Sequence, residues 1–248
     1  MKNLKYVFLA CMVPAMSLTS QAGVTATAPA TESSDSGNWY WSTLAGYNHA
    51  SNLEVFYPTL FGIFGPDAGY QNLDMDHGYA AGLAFGYEMA EGETGQWSFE
   101  LEAMFAENSF KGDSTFGFAR AREVEGDLQQ INLMLNARRT FTYWDKFTPY
   151  AGIGLGASHS NLDITQRGYN SGTLINTISA DDEQIVLMYQ AILGVEVPLK
   201  DSWTFFTEYR FSMTDGSEFV VGNGPAGNTT VGDELINHSL LLGLKCNF

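Results

Sequence analysis

Residues 78–89 read GYAAGLAFGYEM, a stretch in which bulky apolar residues alternate with small ones. Its odd positions carry Tyr, Ala, Leu, Phe, Tyr and Met, while its even positions carry Gly, Ala, Gly, Ala, Gly and Glu. Successive side chains of a β-strand point to opposite faces, so the stretch predicts a strand with one bulky apolar face and one face of small or charged groups. The same alternation returns in seven further segments, at 39–47, 97–105, 131–138, 151–158, 185–196, 203–212 and 239–248.

Two architectures explain such alternation. In a soluble sandwich the apolar face points into a shared core, whereas in a membrane barrel it faces lipid and the small or polar face fills the lumen. The connections between segments favour the barrel, because short turns alternate strictly with long connections. The turns lie near 91–93, 143–145 and 198–200, and the long connections cover about 48–77, 109–126, 161–183 and 214–234.

Strict alternation places every long connection at one end, which is typical of outer-membrane barrels. We therefore predict an all-β fold, an eight-stranded antiparallel up-and-down transmembrane β-barrel with four long extracellular loops and short periplasmic turns. The positions of aromatic residues also favour this barrel, because a group of them lies at the short-turn end, where an interfacial girdle is expected. This group comprises Trp39, Tyr87, Trp97, Phe141, Phe147, Trp203 and Phe248.

The N-terminal residues predict export. Lys2 and Lys5 precede a mostly apolar run, and Ser20-Gln21-Ala22 has small residues where a signal peptidase reads, so we predict a signal peptide over 1–22. Residues 23–38 are small and polar and predict a flexible tail, followed by the barrel over 39–248. The chain carries 28 acidic against 12 basic residues, which excludes nucleic acid as a partner because phosphate contacts need Lys and Arg.

Three segments carry a resemblance to a known family. They are Trp39-Tyr40-Trp41, the run FTPYAGIGLG at 147–156 and the ending GLKCNF at 243–248. With these segments the chain resembles the small eight-stranded outer-membrane barrels of the OmpA, OmpX and opacity-protein type. The resemblance implies a bacterial outer-membrane location, a Gram-negative source, lipid as surroundings and the β-barrel assembly machinery as a partner. It also implies an assembly signal formed by Gly243, Leu244, Cys246 and Phe248, although Cys246 stands where an aromatic residue is common.

Eight charged residues share the inward face of the predicted strands: Glu88, Glu100, Glu102, Arg138, Glu196, Glu208, Arg210 and Lys245. Isolated buried charges are costly, so these side chains are expected to pair with one another. One interpretation is an ionic plug that fills a narrow barrel, because an eight-stranded lumen is just wide enough for side chains. The other is a cation-preferring pore for small solutes, which the excess of Glu favours.

Enzyme chemistry finds little support in the sequence. Lipid A-modifying barrels exist, and one type uses a His and a Ser that are separated by one residue in the sequence. Here His159-Ser160 and His238-Ser239 are adjacent in sequence, so alternation points them to opposite faces. We predict no enzyme and no cofactor. A metal site remains as a speculative hypothesis at His49, His77 and His238, which share outward parity at the long-loop end and could bind Zn²⁺ or Cu²⁺.

The first long connection is apolar for a surface loop. It contains Phe56, Tyr57, Leu60, Phe61 and Phe64. These residues could fold over the barrel mouth, or they could contact host surface molecules, since exposed aromatic patches usually mark contacts. The leading hypothesis for function is a surface barrel with a structural, adhesion or host-interaction role. A small cation-preferring porin is the alternative, and a lipid A-modifying enzyme is the third hypothesis.

Overall fold

The computed structural model describes residues 37–57, 69–92, 94–116, 120–141, 146–200, 202–216, 218–224, 227–231 and 234–248. These residues form β1 (Asn38–Ala50), β2 (Leu53–Tyr57), β3 (Gly69–Met75), β4 (Gly78–Glu88), β5 (Gln96–Phe116), β6 (Arg120–Thr140), β7 (Thr148–Asn170), β8 (Thr173–Pro198), β9 (Trp203–Thr214), β10 (Phe219–Gly224), β11 (Gly227–Val231) and β12 (Ile236–Asn247). The predicted signal peptide, residues 1–22, and all but the last two residues of the predicted tail lie outside the described part. Within it, no helix has the length and hydropathy needed to cross a membrane.

Eight of the strands close into a ring. The antiparallel order β5-β4-β1-β12-β9-β8-β7-β6 ends on a strand that pairs again with β5, so each of these strands has a neighbour on both sides. A closed ring has no open edge, so the backbone N–H and C=O groups of every strand find hydrogen-bond partners in the neighbouring strands. The hydrocarbon of a membrane offers these groups no such partners. The predicted eight-stranded antiparallel fold is confirmed.

The register around the ring shows that the strands are staggered. A path that starts at Leu193 on β8 and follows paired residues through every strand returns to β8 at Glu183, a shift of ten residues. Such a shift accompanies the strand tilt that closure requires. β5 to β8 contain 21 to 26 residues, against 11 to 13 in the other four ring strands, and so form the taller side of the barrel.

The two faces of the strands differ as the alternation predicts. In the part of the ring strands nearer the short turns, most outward side chains are exposed and apolar, for example Leu135, Ile153 and Leu193 at 67, 70 and 60% exposure. Their inward neighbours are buried. At the short-turn end Trp39 stacks on Phe85 at 5.1 Å between ring centroids, as an interfacial girdle would place them.

Where the long connections are described, they consist mostly of paired strands, a detail that the sequence did not predict. β5 and β6 stay paired up to Phe116 and Arg120, and β7 and β8 stay paired up to a turn at Ser171-Gly172, where both residues have positive φ. In the other two connections β2–β3 and β10–β11 form hairpins that pair through β11 and β2. The missed signal is the period-2 alternation, which continues through these segments.

Candidate functional site

A chain of ion pairs crosses the lumen at the short-turn end. Lys245 Nζ lies 2.8 Å from Glu88 Oε1 and 2.6 Å from Glu196 Oε2. Glu196 also accepts from Arg138 Nη2 at 3.3 Å, and Arg138 Nη1 reaches Glu100 Oε2 at 3.2 Å. All five side chains are buried. These ion pairs therefore link β12, β4, β8, β6 and β5 across the interior.

A second group lies one step further from the short turns. Arg210 binds both carboxylate oxygens of Glu102 across the lumen, with Nη2 2.6 Å from Oε2, and its Nε reaches Glu208 Oε1 at 2.5 Å. Tyr150 donates to Glu208 Oε2 at 2.7 Å, and the Arg138 guanidinium lies 4.0 Å from the centre of the Tyr150 ring. Tyr150 thus connects the two groups, which together we call the ionic network.

Five carboxylates face three cations in the ionic network, so neutral donors complete the coordination of the Glu oxygens. Tyr40 and Asn136 donate to Glu100 at 2.8 and 2.9 Å, and Asn247 donates to Glu88 at 2.8 Å. Charge-assisted hydrogen bonds of this kind are shorter and stronger than neutral ones. Each of the eight predicted inward charges has an ionic partner in the structure.

Three inward aromatic rings lie over glycines of neighbouring strands. Tyr40 covers Gly86, Tyr150 covers Gly194 and Phe206 covers Gly243, so closely that a Cβ at any of these glycines would overlap the ring. The glycines make room for the rings, and the Tyr40 and Tyr150 hydroxyls then reach the ionic network. Sequence analysis missed these aromatic residues, although their even numbers place them on the inward face.

Neutral polar side chains fill the next level of the interior. Asn48 donates to Asn108 Oδ1 at 2.6 Å and accepts from Ser239 at the same distance. Ser158 and Ser160 lie within 3.5 Å of the Gln130 amide. These side chains are buried, and their hydrogen bonds join β1 to β5 and β12, and β6 to β7.

An apolar cluster closes the interior at the hairpin end. It is formed by inward residues of the hairpins and of the upper ring strands, and we call it the mouth cluster: Ala50, Leu53, Leu73, Met75, Phe110, Val124, Leu128, Leu162, Ile164, Phe219, Val231 and Leu235. Each of them is at most 6% exposed. Leu53, Leu73 and Met75 come from the first long connection, so part of that connection folds over the mouth. The signal for the cluster was the change from polar to apolar inward residues beyond Asn108.

The predicted surface contact residues of the first connection lie largely beyond the described part. Leu60, Phe61 and Phe64 are outside it, and for Phe56 and Tyr57 only the backbone is described, in β2. Their contact role stays a prediction.

The three histidines at the outward rim do come together. His49 is paired in register with His238, and its ring centroid lies 6.2 Å from that of His77. Tyr47 and Tyr209 hydroxyls lie 2.5 and 2.6 Å from Nδ1 of His77 and His238. Among the described side chains, no three His, Cys, Asp or Glu are arranged to hold a metal ion, so the metal hypothesis finds no support in this geometry. We call His49, His77 and His238 the rim histidines.

The His-Ser pairs point to opposite faces, as alternation requires. Ser239 is buried and donates to Asn48, while His238 lies outward beside Phe211. Ser160 is buried, and His159 faces out with Nε2 3.6 Å from Glu183 Oε2.

The last strand places the predicted assembly residues at the short-turn end. Gly243 lies under the Phe206 ring, Leu244 and Phe248 face outward at 39 and 70% exposure, and Cys246 is half-buried beside them. The Phe248 amide donates to the Trp39 carbonyl at 3.0 Å, which ties the end of the chain to β1. The assembly role itself stays a prediction.

The tall side of the barrel presents an acidic outward face. Asp127, Asp163 and Asp181 are direct register partners on β6, β7 and β8. Two rungs above Asp127, Arg167 Nη2 lies 2.6 Å from Glu125 Oε1, and this hydrogen bond holds the pKa of the Glu125 carboxyl below its usual value. Like charges directly opposite one another weaken strand pairing, so the aspartate row does not serve the stability of the hairpins.

The model of a family described as an outer membrane protein beta-barrel domain matches residues 8–248. Similar solved structures include Neisserial surface protein A, with a TM-score of 0.46 and 14% identity over 85% of this chain and 97% of that one. Ail of Yersinia pestis in complex with sucrose octasulfate has a TM-score of 0.40 and 15% identity, covering 85% and 99%. OprG of Pseudomonas aeruginosa has a TM-score of 0.41 and 13% identity, covering 83% and 95%. No curated protein sequence matches the chain.

Proposed function

This chain belongs to the outer membrane protein β-barrel domain family and lies in the bacterial outer membrane, and we propose that it acts at the cell surface through its extracellular hairpins rather than by conducting solutes. The role is adhesive or structural: the outward belt binds membrane lipid, the assembly machinery inserts the barrel, and the hairpins contact host or neighbouring surfaces. No enzyme activity is part of the proposal.

The filled interior is the observation that carries this proposal. The ionic network occupies the short-turn end of the lumen, and the mouth cluster occupies the hairpin end. A water-filled path would have to break several buried ion pairs and then pass an apolar layer whose members are at most 6% exposed. Opening such a path is costly because it leaves buried charges without partners.

The length of the tall-side strands supports a role outside the membrane. β5 to β8 contain 21, 21, 23 and 26 residues. A tilted transmembrane strand needs only about 9–11 residues. About half of each of these strands therefore lies beyond the bilayer, where paired hairpins on a packed apolar base form a rigid surface for contacts.

A cation-preferring pore remains the second candidate, and the excess of two carboxylates over cations in the ionic network is the observation that favours it. The two candidate functions predict different effects for variants of the hairpins and variants of the lumen. Shortening a hairpin harms a surface role and leaves conduction intact, whereas neutralising lumen carboxylates changes conduction.

The test expresses the wild type and a shortened variant in a bacterium that lacks the protein. The variant omits 166–169 and 174–178, which keeps the Ser171-Gly172 turn, the pair Thr165–Ser179 and the whole mouth cluster. We expect cells with the wild type to adhere to cultured epithelial monolayers above the empty-vector level, and the shortened variant to lose most of this gain while still folding. Wild-type adherence at the empty-vector level, together with solute flux in a liposome-swelling assay, would replace the surface role by the pore.

A further inference from the structure

We propose that the rim histidines, His49, His77 and His238, form a pH-dependent site for the phosphate group of an outer-leaflet lipid. They lie on neighbouring segments of the sheet, since β12 and β4 flank β1 on either side. Their outward parity turns the rings away from the lumen and toward the surroundings of the barrel. The proposal depends on the membrane location of the barrel and not on the role of its hairpins.

The height of the rim histidines matches the headgroup level of a bilayer. One outward position below them lie three tyrosines: Tyr47 on β1, Tyr79 on β4 and Tyr209 on β9, which is the register partner of Leu240 on β12. Below these the outward residues are aliphatic or aromatic, such as Leu83 and Leu242. Tyrosines mark the boundary between hydrocarbon and headgroups, so the histidines above them meet the headgroups.

The tyrosines also orient two of the rings. When Nδ1 of His77 and of His238 accepts a hydrogen bond from Tyr47 and Tyr209, Nε2 of each neutral ring carries the hydrogen. Nε2 is then a donor in both the neutral and the charged form. Nδ1 of His49, between them, is buried and has no partner among the described residues. The His49 and His77 ring centroids lie 6.2 Å apart and His238 pairs in register with His49, so the three imidazoles are adjacent and can act on one anion together.

The charged groups around the site set the direction of the pH dependence. Acidic residues on the elements packed against the rim histidines are Asp74 and Asp76 before β4, Glu107 on β5, Asp215 after β9 and Glu234 before β12. Asp74 pairs in register with Lys111 and accepts from Asn52 at 3.2 Å, and Glu107 accepts from Gln129 at 3.0 Å. With neutral histidines these carboxylates repel a phosphate.

Histidine is the side chain whose charge ordinarily changes between about pH 5 and pH 8, so a site that depends on imidazoles should bind an anion more strongly as the pH falls through this range. A phosphate monoester has a second pKa of about 6, so it goes from nearly two negative charges at about pH 8 to about one at about pH 5.5 and stays an anion throughout. Binding should therefore be weak at about pH 8 and strong at about pH 5.5. An uncharged lipid with the same acyl chains should show no such change.

Native mass spectrometry of the refolded barrel in a neutral detergent tests the proposal, with phosphatidic acid as the probe and diacylglycerol as its phosphate-free match. We expect about tenfold more retained phosphatidic acid at about pH 5.5 than at about pH 8. The variant His49→Gln/His77→Gln/His238→Gln should lose this increase. His159→Gln, which alters the outward histidine beside Glu183, should keep it.

Folding of each variant is verified by the shift of the heated band in gel electrophoresis, and the single variant His49→Gln gives a second measurement if the triple variant does not fold. Equal pH dependence in the wild type and in the folded variants would overturn the proposal, and so would an equal gain for diacylglycerol. Complete displacement of the lipid by inorganic phosphate in slight excess would assign the site to the free ion instead of the lipid.

Discussion

Arg138 is the residue at which the two halves of the ionic network meet. It binds Glu100 and Glu196, and it lies over the Tyr150 ring, whose hydroxyl binds Glu208. Its neighbour Arg139 has a different environment, because it points outward over the Trp97 ring and donates to Thr94 at 2.7 Å. The two adjacent arginines therefore form a matched pair for measuring what the interior charge contributes.

Arg138→Ala should lower the free energy of unfolding by about 3–5 kcal/mol, because it leaves Glu100 and Glu196 buried with fewer partners. Arg139→Ala should cost less than about 1 kcal/mol, since its contacts are exposed. Urea unfolding of the refolded barrel, followed by tryptophan fluorescence, measures both. Equal, small effects would indicate a hydrated lumen and would favour the pore.

Gly194→Ala tests the contact between inward aromatic rings and glycines. The added methyl overlaps the Tyr150 ring and pulls its hydroxyl from Glu208, so we expect a loss of about 1–3 kcal/mol, the usual cost of overpacking. Gly172→Ala, at the exposed hairpin turn, meets no neighbouring atom and should cost only the strain of its positive φ. A Gly194→Ala barrel as stable as the wild type would mean that the ring is not fixed there.

Most of what the sequence could predict about the interior came from the odd or even position of each residue in its strand. It placed all eight charged residues on the buried face, because parity is a local property of each strand. It did not assign their partners. Arg210 meets Glu102, 108 positions away in the chain, and such a pairing depends on the ring order and on the stagger.

At the scale of the elements, the hairpins change what protease should do to intact cells. Paired backbone resists cleavage, so the 161–170 and 173–183 arms should be protected and cutting should concentrate at Ser171-Gly172. The short turns near Gly92 and Leu199 should be cut only after permeabilisation. Mass spectrometry of the fragments locates the sites, and cutting at Leu199 in sealed cells would reverse the orientation of the barrel.

The last strand gives a second prediction at this scale. Deleting Phe248 removes the amide that donates to Trp39 and the ring 6.3 Å from that of Phe85. If the ending guides assembly, the deletion should lower the yield of heat-modifiable barrel in cells. Refolding of the same variant in detergent should remain close to normal, which separates recognition from stability. Normal yield in cells would show that the terminal residue is incidental.

The strands themselves were predictable and the hairpins were not, for a physical reason. In the membrane most outward residues are apolar, so the alternation between Leu83 and Gly82 is plain. Outside the membrane the outward face is polar and the inward face becomes apolar, as at Asp127 and Leu128. The alternation continues with its sense reversed, so polar residues take the outward positions and the segment resembles a loop in sequence.

At the scale of the whole molecule, the ring of eight strands is closed, its lower interior is ion-paired and its mouth is apolar. The ionic network or the mouth cluster alone would restrict a path through the lumen. Because both are present, the hairpins are the part of the protein that meets its surroundings. We therefore expect that this barrel does not conduct.

Single-channel recording of the refolded barrel in a planar bilayer tests that claim most directly. We predict no current steps above the lipid baseline for the wild type, and none for Glu102→Gln, which changes one lumen carboxylate without altering the outward surface. The contrary result would be discrete openings in the wild type with a preference for cations that Glu102→Gln reduces.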